Sequence, residues 1–115
     1  MKAYRLNDWG KPLELEDIPQ SEPNDNEVLV RIHATSINPF DAAIQAGYLQ
    51  NMAKVPLTLG TDFAGDVVAV GKNIMHVKPG DAVFGLSPLG AGAFAEYIIV
   101  KVHEVTKKPK SLDYI

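Results

Sequence analysis

The chain has 115 residues, of which 46% are hydrophobic and 22% charged, and its formal net charge is −3 at pH 7. This composition is typical of one globular domain and excludes a disordered chain. The weak charge excludes strong electrostatic attraction to nucleic acid or an anionic membrane. The absence of cysteine excludes disulfides, a thiolate nucleophile and thiolate metal sites. Because no apolar run approaches the ~20 residues that span a bilayer, and the N-terminus has no apolar signal core, we expect a soluble cytoplasmic protein.

The first residues favour short strands separated by turns. Residues 2–6 form a mixed run that ends at the turn signal Asn7-Asp8. Residues 13–18 alternate in polarity, which favours a short strand. The polar segment 19–27, which carries Pro19 and Pro23, predicts a surface loop.

The segment EVLVRIHATSI, residues 27–37, predicts the clearest strand of the chain. Its residues alternate between two faces, and several of them are β-branched, as in a pleated strand. Pro39 cannot continue a central ladder, so we expect the strand to end near Ile37. Residues 41–45 then predict a helical turn, with Pro39 near its start and Gly47 near its end.

The second half predicts further strands over residues 63–71, 82–84 and 94–100, after an extended run at 54–60 that contains Pro56. Gly65 inside a strand indicates a bulge or a close backbone approach. Pro79 and Gly80 at the centre of KPGD are the residues that a type II turn favours. Ser111 is a candidate N-cap for a helix in the last residues.

This pattern predicts a mainly β fold, a barrel or a sandwich. Many short strands are separated by nine glycines and eight prolines, with only one or two helical turns between them. Such spacing of turn residues is typical of antiparallel β domains.

The run Gly90-Ala91-Gly92-Ala93-Phe94-Ala95 matches the G-x-G-x-x-A dinucleotide fingerprint in letters only. That motif requires a preceding strand and a following helix, whose terminal N–H groups meet the pyrophosphate. Here Ser-Pro precedes the run and the β-rich EYIIV follows it. We interpret this segment as a flexible connection between strands.

Other titratable residues carry weaker signals. His33, His76 and His103 lie on three separate segments without metal-ligand spacing, so structural or exposed roles are favoured over a zinc site. Asp62 and Asp66 share one face of a predicted strand, where acid–base pairing competes with a solvated or capping role.

The stretch SINPFDAAIQAGYL places Asn38, Asp41 and Tyr48 within one connection. Local physics offers one interpretation, because Asn before Pro starts turns and Asp caps them. The other interpretation is that these polar side chains form one wall of an active site. The residues of this stretch alone leave both open.

Five segments together resemble a known family. EVLVRIHATSINPFD, AGYL, PLTLGTDFAGDVVAVG, VKPGDAVFG and GAFAEYIIV occur in the order and spacing of the N-terminal domain of the medium-chain dehydrogenase/reductase superfamily. The likeness is to its zinc-free, quinone oxidoreductase-like branch, and it covers nearly the whole chain. It implies a GroES-like fold, a strongly curved and partly open β-barrel, over residues 1–110.

The resemblance also implies what the parent protein would contain. Residues 111–115 would begin a linking helix, and a Rossmann domain that binds NADPH would follow outside these residues. The chain would then be an excised or truncated domain, inactive alone, from an enzyme that reduces a small quinone or α,β-unsaturated carbonyl. Neither nucleic acid nor membrane is an expected partner, and a homodimeric parent is compatible with the resemblance.

The resemblance bears on zinc residue by residue. Zinc-dependent members carry Cys at the position of Asn38, and a His-Glu pair at Thr61-Asp62. An amide and a hydroxyl are poor zinc ligands, and the four-Cys structural lobe has no counterpart here, so we expect no metal. A zinc alcohol dehydrogenase, and a free-standing GroES-like binding or assembly module, are the two alternative functions.

The resemblance places Asn38, Asp41 and Thr61 at the cleft near the nicotinamide. Asn38 would donate a hydrogen bond to a substrate or ribose oxygen, and Asp41 would hold the loop and Asn38. Tyr48 would donate a hydrogen bond or a proton to the reduced carbonyl. Many relatives have one residue between the Gly and the Tyr, whereas Tyr48 follows Gly47 directly. Thr61 and Asp62 would line the cleft without a catalytic role.

Overall fold

The computed structural model describes residues 1–48, 50–88 and 91–114. Within these residues it contains eight strands, one α-helix and one 3-10 helix. Their bounds are β1 (Lys2–Leu6), β2 (Glu14–Asp17), β3 (Glu27–Ala34), α1 (Pro39–Ala46), β4 (Leu57–Thr58), β5 (Asp62–Val70), β6 (Ala82–Leu86), β7 (Tyr97–Lys101), the 3-10 helix (Val102–Glu104) and β8 (Val105–Lys107). The predicted mainly β fold is confirmed.

The strands form two antiparallel sheets. One has the order β2-β1-β4, and the other has the order β7-β3-β5-β6-β8. An isolated bridge between Ala3 and Ala95 connects them. The larger sheet curls into half a barrel and is shifted in register twice along β3. Such irregularities increase local twist and bend a strand.

Two apolar clusters hold the sheets together. The larger cluster lies inside the curled sheet and includes the fully buried Val28, Val30 and Val83. In the smaller cluster, Ile44 of α1 packs with Leu6 and Leu57 of the first sheet and with Leu59, which follows β4. Burying a side chain of this size contributes roughly 1.5–3 kcal/mol. Ile44 therefore anchors α1, and with it the segment that precedes the helix.

Several predicted boundaries are corrected by the structure. β3 ends at Ala34, three residues before Ile37, and the predicted helical turn is a two-turn helix. β7 starts at Tyr97 rather than Phe94, because the backbone of Phe94 bonds to Leu59 and Tyr4 instead. The 3-10 helix and β8 were not predicted.

The predicted helix start at 111–115 is absent from the described residues of that segment. Lys110 and Ser111 form a turn, and Asp113 and Tyr114 have no regular structure. Ile115 lies outside the described residues. No helix of the described chain is both long and apolar enough to cross a membrane.

Two glycine predictions are confirmed. In the KPGD turn, Asp81 N–H donates to the Lys78 carbonyl over 3.1 Å, and Gly80 has φ of +94°. Gly65 lies between neighbouring strands, where an added Cβ would sit 1.9 Å from the carbonyl oxygen of Arg31. β3 and β5 can approach this closely only if no side chain stands at Gly65.

We therefore expect Gly65→Ala to destabilise the chain by more than about 2 kcal/mol, because a backbone atom must move to admit the methyl group. Urea unfolding measures this loss. Val68→Ala, at a 44% exposed position of the same strand, is the control and should cost under about 1 kcal/mol. Equal midpoints for the two variants would contradict the close approach.

Candidate functional site

The polar residues of the β3–α1 connection are held by the start of the helix. Asn38 is the N-cap, with extended φ and ψ of −119° and 158°. Its backbone carbonyl accepts from Asp41 N–H over 2.9 Å, and Asp41 Oδ2 accepts from Asn38 N–H over 2.9 Å. A carboxylate in the first turn is also stabilised by the helix dipole. The backbone of Asn38 is therefore clamped from both sides.

The side chain of Asn38 bonds to the neighbouring strand rather than to the helix. It makes no cap hydrogen bond, and its Nδ2 donates to Asp62 Oδ2 over 3.0 Å. Asp62, the first residue of β5, also accepts from Ser36 N–H over 2.9 Å and from Ser36 Oγ over 2.6 Å. Thr35 Oγ1 donates to the backbone carbonyl of Asp62 over 2.7 Å. One carboxylate thus ties the β3–α1 connection to β5.

These bonds determine the charge state of Asp62. Partial burial by itself raises the pKa of this carboxyl, but hydrogen bonds from Ser36 and Asn38 outweigh burial, so the pKa lies below its ordinary value. Hydrogen bonds to an ionised carboxylate favour the ionised form. Asp62 is therefore a carboxylate at neutral pH and acts as an acceptor.

A concave surface adjoins this network. A cavity of about 240 Å³ is lined by Thr35, Ser36 and Asp62, by apolar residues at the facing ends of β3 and β5, and by Tyr114 from the C-terminal segment. Asn38 is half-buried beside it. The arrangement presents hydroxyl and carboxylate groups around one small hollow, and the Asn38 amide is bonded to that carboxylate.

A second network lies further along β5. Asp66 accepts from the Tyr114 hydroxyl and pairs with His33 Nε2 at 2.8 Å, and the rings of His33 and Tyr114 stack 4.3 Å apart. The bond from Tyr114 is the main cause of a lowered Asp66 pKa, and it raises the pKa of Tyr114. Four residues of strand separate Asp62 from Asp66 by roughly 13 Å. The two carboxylates serve different networks and do not form an acid–base pair.

The other site residues predicted from the sequence are placed as follows. Asp41 is only 2% exposed, so it lies behind Asn38 and supports it. Thr61 lies directly before β5, and its carbonyl accepts from Ser87 N–H over 2.6 Å. Tyr48 is 81% exposed and follows the far end of α1, roughly 12 Å along the helix from Asn38. The structure brings together Asn38, Asp41 and Asp62, but not Tyr48.

The three histidines do not converge. His33 bonds to Asp66, whereas His76 Nε2 lies 3.2 Å from the Val105 carbonyl and His103 belongs to the 3-10 helix. Among the described residues, no group of three or more His, Asp or Glu side chains could hold a metal. Of the G-x-G-x-x-A run, Gly90 lies outside the described residues, and the remainder contains no helix.

Comparison with known proteins identifies the family. The model of the alcohol dehydrogenase GroES-like domain matches residues 24–110. The chain belongs to this family, and its relatives are quinone oxidoreductases of the medium-chain dehydrogenase/reductase superfamily. The fold and family implied by the sequence resemblance are confirmed.

Individual relatives agree over nearly the whole chain. Quinone oxidoreductase of Homo sapiens is 38% identical over 117 residues, covering 99% of this chain and 35% of the human protein. The mitochondrial NAD(P)H oxidoreductase RTN4IP1 of Dictyostelium discoideum is 36% identical over 123 residues, with the same coverage. The chain thus spans about a third of the length of these relatives.

Solved structures give the same result. The quinone oxidoreductase of Coxiella burnetii superposes with a TM-score of 0.90 at 31% identity, over 100% of this chain and 39% of that one. The Escherichia coli quinone oxidoreductase complexed with NADPH superposes with a TM-score of 0.92 at 25% identity, over 99% of this chain and 35% of that one.

The residue that sequence reasoning underrated is Asp62. The resemblance placed it near the cleft without a catalytic role, and the four-residue spacing from Asp66 left acid–base pairing and a solvated or capping role as alternatives. A useful signal was available in Ser36-x-Asn38, two short donors directly after a strand. Donors at such a strand end commonly need a nearby acceptor, and an acidic residue at the start of a neighbouring strand can supply one.

Acidification tests the Asp62 network. Because the folded-state pKa of Asp62 is lowered, its stabilisation is fully present above the unfolded pKa and is lost as pH falls through the folded pKa. We expect Asp62→Asn to flatten the loss of unfolding free energy below about pH 4, measured by urea titrations at several pH values. Asp8→Asn, at an exposed turn, should leave the steepness unchanged. An equally steep acid limb in Asp62→Asn would refute the network.

Asp41 allows a separate test of the clamp on Asn38. Asp41→Ala removes a buried acceptor from the helix start and should cost about 1–2 kcal/mol. Asp41→Asn retains one acceptor oxygen and should cost less. Urea midpoints measure stability, and the Asn38 backbone amide resonance should shift in both variants. An unshifted Asn38 resonance in Asp41→Ala would show that the clamp is absent.

Proposed function

We propose that this chain is the substrate-side domain of a zinc-independent, NADPH-dependent oxidoreductase. The parent protein would reduce a quinone or an α,β-unsaturated carbonyl by hydride transfer. The observation that carries the proposal is the hydrogen bond between Asn38 and Asp62. By resemblance, Asn38 stands where zinc-dependent members of the superfamily carry Cys, and Asp62 stands where they carry the Glu of a His-Glu pair.

The chemistry of these side chains supports a metal-free site. Asn38 offers an amide and Thr61 a hydroxyl, which are poor zinc ligands compared with thiolate and imidazole. Asp62 could ligate a cation, but both of its oxygens already accept hydrogen bonds from Ser36 and Asn38. The hydrogen bonds from Ser36 and Asn38 therefore occupy the Asp62 oxygens that would otherwise be available to a metal ion.

The cavity fits one end of a dinucleotide. Sites that enclose a whole ligand usually measure roughly 300–1,000 Å³, and the cavity beside Asp62 measures about 240 Å³. Its hydroxyl and carboxylate groups, with the Asn38 amide bonded to Asp62, match the hydroxyls and carboxamide of a nicotinamide riboside. When bound, the cofactor supplies the hydride, while Asn38, Ser36 and Asp62 would orient its reacting end. The remaining contacts require a second domain, which agrees with the chain's share of its relatives.

The other roles follow from this placement. Asp41 would act through the backbone of Asn38 rather than by touching the cofactor, and Thr61 would contribute through its backbone. Exposed Tyr48 would reach a substrate only if the second domain closed over it. We propose a small quinone or carbonyl as the substrate, and a homodimeric parent protein is compatible with the resemblance. We propose the cytoplasm as its location, although some relatives are named as mitochondrial.

The experiment compares the 115-residue chain with the full-length protein. The full-length protein should oxidise NADPH with a simple quinone and contain no stoichiometric zinc, whereas the 115-residue chain should show no turnover. In the full-length protein, Asn38→Ala should lower kcat/KM about 10- to 100-fold.

Asn73→Ala is the matched control, because exposed Asn73 follows β5 and bonds to Asn26 before β3, at the opposite end of these paired strands from the site. It should leave kcat/KM unchanged. Turnover by the 115-residue chain would contradict the need for a second domain, and stoichiometric zinc would favour the metal-dependent alternative. A full-length protein without reductase activity would favour a binding or assembly module.

A further inference from the structure

We propose that Asp62 is a positioning residue for the side chain of Asn38. By binding the NH₂ of the Asn38 amide, it leaves the amide oxygen Oδ1 available to accept a hydrogen bond from a ligand. The site would then recognise a hydrogen-bond donor at Asn38, such as a ribose hydroxyl or a carboxamide N–H, and not a carbonyl oxygen. This inference rests on the proposed function for the identity of the ligand. It reverses the sequence-based expectation that Asn38 donates to a substrate or ribose oxygen.

The first step concerns the two ends of the amide. An asparagine side chain has an NH₂ that only donates and an oxygen that only accepts. An ionised carboxylate only accepts, so the end of Asn38 that faces Asp62 at 3.0 Å must be the NH₂. With the amide turned over, two oxygens would face each other without a proton between them, which is repulsive. The charge of Asp62 therefore selects one orientation.

The second step concerns the rigidity of the carboxylate. Ser36 N–H binds Asp62 Oδ1 and Ser36 Oγ binds Asp62 Oδ2, so neither oxygen can turn away without losing a bond. The Asn38 Nδ2 also lies 3.4 Å from Ser36 Oγ, which gives its second proton a weaker acceptor. Both protons of the NH₂ are thus directed into the protein.

The third step concerns the backbone of Asn38. Asp41 holds the Asn38 N–H, and the helix start holds the Asn38 carbonyl. Because Asn38 makes no side-chain cap hydrogen bond, its Oδ1 is not used to begin the helix. With the backbone and the NH₂ fixed, and with no bond from Oδ1 to the part of the chain that the structure describes, Oδ1 is the group that a ligand can meet at this half-buried position.

A consequence follows for the chemistry. An acceptor at Asn38 cannot stabilise negative charge developing on the oxygen of a quinone or enone. Its contribution would be to align a cofactor or substrate hydroxyl or N–H, and the group that polarises the carbonyl must lie elsewhere. Loss of Asp62 should therefore weaken ligand binding more than it slows the chemical step.

Nuclear magnetic resonance on the 115-residue chain tests the orientation without any ligand. The side-chain NH₂ signals of Asn38 should move together with the acid titration of the Asp62 carboxyl carbon and should shift in Asp62→Asn. The control is Asn73, whose NH₂ donates to an amide oxygen of Asn26 and should not move. Asn38 NH₂ signals that stay unchanged both during the acid titration and in Asp62→Asn would overturn the proposal.

Kinetics of the full-length protein test the consequence by exchanging the two groups. Asn38→Asp alone places two carboxylates together, and we expect a rise in the KM for NADPH of at least about tenfold. Asp62→Asn alone should raise KM about tenfold with a smaller change in kcat. The double variant Asn38→Asp/Asp62→Asn restores a donor–acceptor pair with the acceptor at position 38, so it should recover most of the lost affinity.

The outcomes separate this proposal from the proposed function. A double variant that is no better than Asn38→Asp, while its thermal unfolding matches wild type, would show that the site needs a donor at position 38 and would overturn the inference. If the wild-type full-length protein shows no NADPH-dependent reduction, the proposed function fails. The resonance measurement still decides the orientation of Asn38 in that case.

Discussion

The carboxylate of Asp62 is the constraint on which the site depends. It accepts hydrogen bonds from Ser36 and Asn38 and so joins the first residue of β5 to the segment that leads into α1. The helix itself is anchored on the opposite side, where Ile44 is fully buried against the smaller apolar cluster. The polar connection is therefore held between a charged contact at one end and an apolar contact at the other. These two contacts keep the half-buried Asn38 amide in one orientation, so little side-chain entropy is lost when a ligand binds.

The curvature of the larger sheet places this network at the edge of a hollow. The larger sheet curls because β3 is irregular and because Gly65 lets neighbouring strands approach. A curled sheet that does not close leaves a hollow at its end, and the Asp62 network lies beside that hollow. Members of this family place such a domain in proteins about three times as long. A hollow too small for a whole dinucleotide suits a domain that supplies one wall of a cleft.

Much of the fold could be predicted from residue patterns. Alternation in EVLVRIHA, the KPGD turn and Gly65 each have a local physical cause, and each was found where the pattern placed it. β8 was missed because a three-residue strand, VTK, carries almost no periodicity of its own. The helix start predicted at Ser111 is not formed over the described residues, where a single N-cap residue has no apolar helix face to bury beside it.

The site was predicted less completely, for a different reason. Asn38 and Asp41 lie within one turn, so their pairing is local and readable. The partner of Asn38 comes from β5, 24 residues further along, and only the register of the sheet brings it near. Tyr48 was assigned by resemblance alone, and its exposure and position beyond α1 give that assignment no support within this chain.

A crystal structure of the full-length protein with bound NADPH, at a resolution that distinguishes the hydrogen-bond partners of Asn38, tests the central claim most directly. The account predicts that Asn38 Nδ2 stays on Asp62 while a hydroxyl or N–H of the cofactor or substrate donates to Asn38 Oδ1. An Asp62 side chain turned away from Asn38, with the Asn38 NH₂ donating to a ligand oxygen, would contradict it.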